Sequence, residues 1–295
     1  SLNINITADG EKTTGVFIDG VSSVSGTVTV KGTGTAGAIG IYGDNGKITI
    51  NSSGLTLNTD TNKGTGIYLT NGAYIEGNDI TINNTAGIKN IGVYYNKGIS
   101  EKTLTNKAAI KLIGSDSIGI YAAGGVKLIN TKNIESTAAG TSNNIASYIQ
   151  GNSSLISNGN ITMNSLNNIG MYVEEGEGIN NGVLDVSGAT GTSSAGMAAK
   201  NNTLGNKSFI KNTGTIKSGN NLGMYIAGTG INSGINTGNI TATTGTGVYV
   251  DGLENSFNGT EGTITSNAIG IYLKNTGSNK ITAGTLNIAS GGVGV

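Results

Sequence analysis

Ile118-Gly119-Ile120-Tyr121 decides the fold, because this stretch returns about once every 25 residues. Close copies are Ile39-Gly40-Ile41-Tyr42, Ile91-Gly92-Val93-Tyr94 and Ile269-Gly270-Ile271-Tyr272. Aligned on the glycine or its substitute, the copies fall at positions 15, 40, 66, 92, 119, 146, 170, 196, 223, 247, 270 and 294, at intervals of 23 to 27 residues. A period of this length indicates one supersecondary unit stacked end to end.

The remainder of each unit is also typical of strands. Short alternating segments such as Lys47-Ile48-Thr49-Ile50 and Asp79-Ile80-Thr81-Ile82 are separated by turns rich in Gly and Asn. Alternation in runs of three to five residues, with β-branched side chains, is the signal for strands. We therefore predict an all-β fold: a parallel β-helix (β-solenoid) of about 11–12 coils of 23–27 residues, continuous over residues 1–295.

Alternation within the motif also predicts which way its side chains point. The residues before the glycine, after it and after the tyrosine are apolar in almost every copy, as in Ile169, Met171 and Val173. They are predicted to face the core, which leaves the glycine and the tyrosine facing outward. Nine of the 11 tyrosines would then form an outward row, a candidate contact strip: Tyr42, Tyr68, Tyr94, Tyr121, Tyr148, Tyr172, Tyr225, Tyr249 and Tyr272. Phe17 extends the row, and Ala198 interrupts it.

The strip allows two interpretations. Exposed aromatic rings can stack on sugars or anchor a protein partner. Aromatic residues aligned in a parallel sheet also pack on one another, which stabilises each pair by about 0.2–1 kcal/mol. Because the tyrosine recurs in nearly every coil, the structural interpretation is favoured.

Composition excludes several classes of function. The chain has 51 Gly and no Pro, Cys or His, and all 17 of its basic residues are lysines that balance 17 Asp and Glu. We therefore expect no nucleic-acid partner, since such proteins carry a basic patch. No apolar run approaches the roughly 20 residues of a membrane span, so this segment is not expected to cross one. The lack of His, Cys and Arg argues against nucleophilic triads and His-ligated metals.

Carboxylates are the remaining candidates for chemistry. Asp19 and Asp44 occupy equivalent positions in adjacent coils and would stack about 5 Å apart, near the spacing of a retaining glycosidase. Each also opens a turn, Asp19-Gly20 and Asp44-Asn45-Gly46, and that interpretation is favoured. We therefore predict no enzyme activity, no catalytic residue and no cofactor.

Two further charged segments have a functional and a structural interpretation. Glu174, Glu175 and Glu177 form an acidic turn that could attract calcium, although a solvated turn is favoured and no metal site is predicted. The long turn from Asn96 to Lys107, which carries Lys97 and Lys102, could be a contact loop. Turn insertions are also simply tolerated, and that interpretation is favoured.

The repeated Ile-Gly-Ile-Tyr and Asn-x-Gly-x-Ile segments, rich in Asn, Gly, Ile and Lys, resemble the passenger regions of autotransporter (type V secreted) adhesins. The similarity is greatest to the large fusobacterial outer-membrane adhesins and extends over the whole chain. It implies a right-handed parallel β-helix on the bacterial cell surface, or secreted, attached in the full protein to an outer-membrane β-barrel. It also implies adhesion to host-cell proteins or glycans, or to other bacteria.

The leading functional expectation is thus a rigid adhesin stalk that presents or contributes to a binding surface. Because the chain stops inside a copy of the motif, at Gly292-Val293-Gly294-Val295, we expect a segment of a longer rod. One alternative is a carbohydrate-active β-helix enzyme, which would use the stacked carboxylates. An ice-binding solenoid is weakly supported, because Thr27-Val28-Thr29 is not repeated in register.

Overall fold

The strands of the computed structural model wind into a parallel β-solenoid of about ten turns. The structure describes residues 4–8, 14–32, 37–60, 62–97, 102–274 and 277–295, and it has no helix among them. Its strands, numbered β1–β32 in chain order, form three sheets that run along the solenoid. Each strand pairs in parallel with its counterpart one coil away, as the 25-residue period predicts.

The tyrosine sheet contains the repeated motif. Its eleven strands are β2 (Thr14–Asp19), β4 (Ile39–Asp44), β6 (Thr65–Thr70), β9 (Ile91–Asn96), β12 (Ile118–Ala123), β15 (Ile145–Ile149), β18 (Ile169–Val173), β21 (Ala195–Lys200), β24 (Leu222–Ala227), β27 (Thr246–Asp251) and β30 (Ile269–Lys274). An isolated β-bridge between Ile269 and Val293 begins a further coil of this sheet.

From β10 onward, the middle sheet follows the tyrosine sheet in each coil. Its eight strands are β10 (Thr103–Asn106), β13 (Lys127–Asn130), β16 (Ser153–Ser157), β19 (Gly176–Asn180), β22 (Lys207–Asn212), β25 (Ile231–Asn236), β28 (Ser256–Asn258) and β31 (Lys280–Thr282).

The isoleucine sheet completes the coil and has thirteen strands. They are β1 (Ile4–Ala8), β3 (Ser22–Gly32), β5 (Lys47–Asp60), β7 (Tyr74–Gly77), β8 (Ile80–Ala86), β11 (Ala108–Leu112), β14 (Ile134–Ser136), β17 (Ile161–Met163), β20 (Val183–Asp185), β23 (Thr215–Lys217), β26 (Asn239–Ala242), β29 (Thr263–Ser266) and β32 (Thr285–Ile288). In the early coils a single long strand, β3 or β5, replaces the separate strands of the middle and isoleucine sheets. The coil therefore has three separate sheets only from β10 onward.

The core consists of apolar residues stacked in register. In the tyrosine sheet the residues after the glycine and after the tyrosine are buried, for example Ile67, Leu69, Met171 and Val173. This part of the predicted core is confirmed. Leu273, predicted to be buried, is 44% exposed because β30 is the last strand of its sheet in the described chain.

The prediction for the motif glycine is wrong, since this glycine faces the core. A Cβ on Gly223 would lie 2.5 Å from Ile240 Cγ2 in the isoleucine sheet and 2.4 Å from the backbone oxygen of Gly247. The preceding apolar residue, Leu222 here, is only half-buried, although it was predicted to face the core. Glycine and the residue after it are thus buried in succession, and strict alternation fails at this point.

The same close approach recurs along the solenoid, which explains why glycine repeats. A Cβ on Gly92, Gly119 or Gly247 would also come within 3.0 Å of an isoleucine Cγ2 and of the next coil's backbone oxygen. Two sheets approach this closely only where one side contributes no side chain. The motif glycine is therefore a packing residue between the tyrosine and isoleucine sheets.

Buried asparagine and serine side chains line the corners between sheets. At the corner that precedes each strand of the tyrosine sheet, a side-chain oxygen accepts a hydrogen bond from the backbone N–H of the equivalent residue one coil earlier. The five bonds are Gly64 N to Asn90 Oδ1 (2.7 Å), Asn90 N to Ser117 Oγ (3.2 Å), Ser117 N to Asn144 Oδ1 (2.8 Å), Asn144 N to Asn168 Oδ1 (2.9 Å) and Asn168 N to Ser194 Oγ (3.1 Å). We call this row the corner ladder. It satisfies N–H groups that the bend removes from the sheet.

Buried asparagines also connect successive coils at the other two corners. Between the middle and isoleucine sheets, Asn180 Nδ2 donates to Asn212 Oδ1 and Asn212 Nδ2 donates to Asn236 Oδ1, both at 2.8 Å. Between the tyrosine and middle sheets, Asn232 N donates to Asn255 Oδ1 at 3.0 Å. The abundance of asparagine therefore has a structural cause.

Candidate binding strip

The nine predicted tyrosines lie in one row on the outer face of the tyrosine sheet, as the sequence predicts. Tyr42, Tyr68 and Tyr94 are successive register partners, and the pairing continues through Tyr121, Tyr148 and Tyr172 and again from Tyr225 to Tyr272. We call this row the tyrosine strip. Most of its rings are half-buried, and Tyr272 is 41% exposed.

Neighbouring rings of the strip pack closely. The centroids of adjacent rings are 4.5–5.4 Å apart from Phe17 to Tyr172 and from Tyr225 to Tyr272. Tyr94 and Tyr121 are nearly parallel, whereas Tyr68 and Tyr94 meet edge to face. Such contacts stabilise the sheet, which agrees with the structural interpretation of the strip.

Stacking also limits what the strip can present to a ligand. A ring packed between two others has both faces covered, so a ligand meets its edge and its hydroxyl group. Ring faces are not fully covered where the stack ends, where it is interrupted and where rings meet edge to face, as Tyr68 and Tyr94 do. The strip is therefore not a uniform platform for stacking, and whether it contacts a partner stays a prediction.

Hydroxyl groups of the strip are held by polar side chains at the ends of neighbouring strands. Asn96 Nδ2 donates to Tyr68 Oη at 2.8 Å, and Tyr148 Oη donates to the Glu174 carboxylate. Burial and then the Glu174 hydrogen bond raise the pKa of Tyr148. Burial, with the neighbouring Tyr94 and Glu174, raises the pKa of Tyr121 to about 12.

We expect the solenoid to lose stability in alkali through these tyrosines. The pKa of Tyr121 rises from 10.0 to about 12 on folding, so its contribution is complete below pH 10 and is lost as the pH approaches about 12. Denaturant unfolding followed by circular dichroism across this range should show the decline. Tyr121→Phe should show a smaller decline because it removes one of the titrating groups. An identical pH dependence in the variant would contradict this account.

Ala198 interrupts the strip, as predicted, and the structure adds a cavity at that point. Ala198 is the register partner of both Tyr172 and Tyr225. A cavity of about 460 Å³ opens over it and is also lined by Thr192, Ser193 and Lys200, among others. Its volume is within the range of about 300–1,000 Å³ that is usual for ligand pockets. Sequence reasoning located the gap but missed the cavity, since Thr192 and Ser193 come from the turn that precedes β21.

Asp19 and Asp44 are register partners at the ends of β2 and β4, as predicted from their equivalent positions. Each precedes a turn with positive φ, at Gly20 and at Asn45 and Gly46. Asp44 Oδ1 also accepts a hydrogen bond from Asn71 Nδ2 at 2.6 Å. The geometry thus supports the turn interpretation, and the role of this pair in an enzyme stays a prediction.

The acidic turn does not gather its three carboxylates into one cluster. Glu174 binds the Tyr148 hydroxyl, and Glu177 lies within β19, where it pairs with Ser154 and Phe209. In the part of the chain that the structure describes, no three Asp or Glu side chains converge into a set that would hold a metal ion.

The predicted turn from Asn96 to Lys107 is in part a strand, which corrects that prediction. Residues Thr103–Asn106 form β10, the first strand of the middle sheet, because their alternation continues the ladder of β13. Lys102 Nζ lies 3.1 Å from the centroid of the Tyr74 ring, a cation–π contact. Residues 98–101 lie outside the described residues.

Comparison with protein-family models, with curated proteins and with solved structures finds no match. In the described ranges, no helix is long and apolar enough to cross a membrane.

Proposed function

We propose that this chain is a segment of a surface-displayed bacterial adhesin, in which a rigid rod presents or contributes to a contact surface. Its partners would be host-cell proteins, glycans or the surfaces of other bacteria. The proposal is supported by the continuous ladders of all three sheets, which connect each coil to the next along the described chain. The resemblance of its repeats to autotransporter passenger regions supports the surface location.

Rigidity follows from the way in which the coils are joined. Parallel backbone pairing, stacked isoleucines and asparagine ladders repeat in most coils, so bending the rod would disrupt several rows of contacts together. A rod of this kind holds a binding surface away from the cell that carries it. The tyrosine strip and the cavity at Ala198 provide side chains for contact on one outer face.

Surface display and attachment are tested separately. Antibodies raised against the purified segment should label intact producing cells, and external protease should remove that label. Beads coated with the segment should attach to host cells or partner bacteria more than beads coated with an unrelated β-solenoid. If only permeabilised cells are labelled, the surface location is wrong; if the two kinds of bead attach equally, this segment has no adhesive role.

A further inference from the structure

The outer face of the middle sheet carries a row of apolar side chains. Along each of its strands buried and outward positions alternate, so that Leu128 and Leu155 face the core and their neighbours face outward. One outward row, aligned by the pairing of successive strands, is Ile129, Ile156, Ile179, Lys211 and Ile235. Its four isoleucines and the adjacent Phe209 are half-buried, and we call the surface that they form the middle face.

The outer face of the isoleucine sheet is different, although it belongs to the same coils. Its outward row is polar in six successive coils: Lys111, Glu135, Thr162, Asp185, Lys217 and Thr241. Parallel pairing by itself therefore does not require isoleucine at outward positions. Clustered apolar side chains on an outer face are typical of a surface that a partner covers.

A second outward row lies beside the isoleucines, near the beginning of the strands, and it carries opposite charges. Lys127, Ser154 and Glu177 are register partners in β13, β16 and β19. Lys127 and Glu177 are two coil rises apart, or roughly 10 Å. Neither forms an ion pair within the described part of the chain. Both charges are therefore available to a partner that presents the opposite pattern.

A second copy of this chain presents that pattern when the two rods are antiparallel. A two-fold axis along the direction of β16, between two facing copies, reverses the order of the coils and keeps each outward row opposite itself. Lys127 of each copy then faces Glu177 of the other, and the isoleucines of β13, β16 and β19 face one another. The outward threonines of β10 face Phe209 and Lys211 of β22, so no like charges are opposed.

Parallel rods do not fit in this way. A two-fold axis along the rods reverses the strand direction and exchanges the sides on which the two outward rows lie. The charged row is then either opposite the isoleucines or outside the contact, and Lys127 and Glu177 stay unpaired in both cases. A charge that is covered without a partner is costly, so the antiparallel arrangement is favoured.

We propose that the middle face is an interface between two copies of this chain, packed antiparallel around β16. Packed sheets lie about 10 Å apart, a gap that facing isoleucines fill and that a lysine and a glutamate span. Two ion pairs between Lys127 and Glu177, at the rim, set the direction and register of the rods. The five strands from β10 to β22 extend over roughly 20 Å, so the contact is of the small class that associates weakly and reversibly. The inference goes beyond the proposed function and does not depend on what an adhesin would bind.

Sedimentation velocity of the purified segment over a range of concentrations tests the interface. We expect a reversible equilibrium between monomer and dimer. Lys127→Glu and Glu177→Lys each place like charges opposite one another at two points, and each should weaken dimerisation at least about tenfold. Both variants should melt at the temperature of the parent, since neither side chain has an ionic partner within one chain. Lys89→Glu is the matched control, because Lys89 is exposed at the corner before β9, and it should dimerise as the parent does.

A mixture of Lys127→Glu and Glu177→Lys is the decisive measurement. In a mixed pair the glutamate introduced in one chain faces the lysine introduced in the other, and the native Lys127 faces the native Glu177. We expect the mixture to dimerise as strongly as the parent, whereas each variant alone is largely monomeric. A change in folding could weaken either variant alone, but it would not be reversed by mixing.

Ser154 lies on the two-fold axis and tests the same face by cross-linking. The chain has no Cys, so Ser154→Cys introduces a single thiol that faces its own counterpart in the dimer. A short bis-maleimide reagent should link two copies of this variant. Thr162→Cys, whose thiol lies on the outer face of the isoleucine sheet in the same coil, should not be linked at the same concentration.

Three results would overturn the inference. The first is a parent segment that stays monomeric up to about 1 mM. The second is dimerisation that neither charge variant weakens, because the association then uses another surface. The third is a mixture that dimerises no better than its two components, because Lys127 and Glu177 of different copies are then not in contact.

Discussion

Replacing Asn144 with leucine is expected to lower the free energy of unfolding by several kcal/mol, although the two side chains are similar in size. Asn144 is fully buried in the corner ladder. Its Oδ1 accepts the Ser117 N–H at 2.8 Å, and its Nδ2 donates to Gly114 O at 2.8 Å and Ser136 Oγ at 2.9 Å. Leucine leaves the buried Ser117 N–H and Gly114 carbonyl without these partners, at about 1–3 kcal/mol for each group.

We expect Asn144→Leu to promote local opening around its own corner before the whole solenoid unfolds. Coils of a solenoid interact only with their neighbours, so the weakened corner opens first. Amide hydrogen exchange should rise most at Ser117 and Ile118, and denaturant unfolding should give the total loss of stability. Asn181→Leu is the control, because Asn181 is exposed and its side chain bonds only to exposed groups, Asn158 and Thr213. It should change stability by less than about 0.5 kcal/mol. Equal losses of unfolding free energy in the two variants would show that the buried corner ladder stabilises the protein no more than exposed asparagine hydrogen bonds do.

Replacing Gly223 with valine is expected to destabilise the solenoid by about 1–3 kcal/mol or more, through overpacking. The first added carbon already lies 2.4 Å from Gly247 O and 2.5 Å from Ile240 Cγ2, so both the backbone and the facing sheet must move. Gly223→Ala should cost less, because one coil already carries alanine at this position, the fully buried Ala146. Denaturant midpoints of the three proteins should follow the order glycine, alanine, valine.

A surface substitution controls for the introduction of valine. Thr241 lies in the facing sheet, next to Ile240, with its side chain exposed. Thr241→Val should change the free energy of unfolding by less than about 0.5 kcal/mol. If Gly223→Val were equally harmless, the motif glycine would face outward, as alternation alone predicts.

The reason for that wrong prediction lies in the local geometry of the strand. Period-two alternation assumes a regular pleat, and it correctly places Ile41 inside and Tyr42 on the outer face. At the start of each motif strand from β4 to β30 the chain leaves a corner, and the glycine (Ala146 in β15) and the next residue are both buried. Nothing in a single repeat distinguishes an outward glycine from an inward one, since neither has a side chain whose polarity reports its surroundings.

The role of the buried asparagines was likewise not predictable from the local sequence. In the sequence, Asn144 and Asn168 are turn residues in a chain rich in asparagine, and their burial has no local signal. Their role depends on stacking residues that are 24 to 27 positions apart along the chain. Such a row is visible only when the coils are placed in register.

The sequence alone determined the solenoid, the parallel pairing of successive coils and the row of nine tyrosines, because a repeat of about 25 residues fixes which positions stack. It also determined that the row is interrupted at Ala198. The tertiary structure decided that the motif glycines pack against isoleucines, that the asparagines bridge the corners and that the interruption is a cavity bordered by Thr192 and Lys200. The glycine packing and the cavity depend on contacts between different sheets and between turns and strands, and the burial of the asparagines depends on the bend at each corner. The period of a repeat specifies none of these.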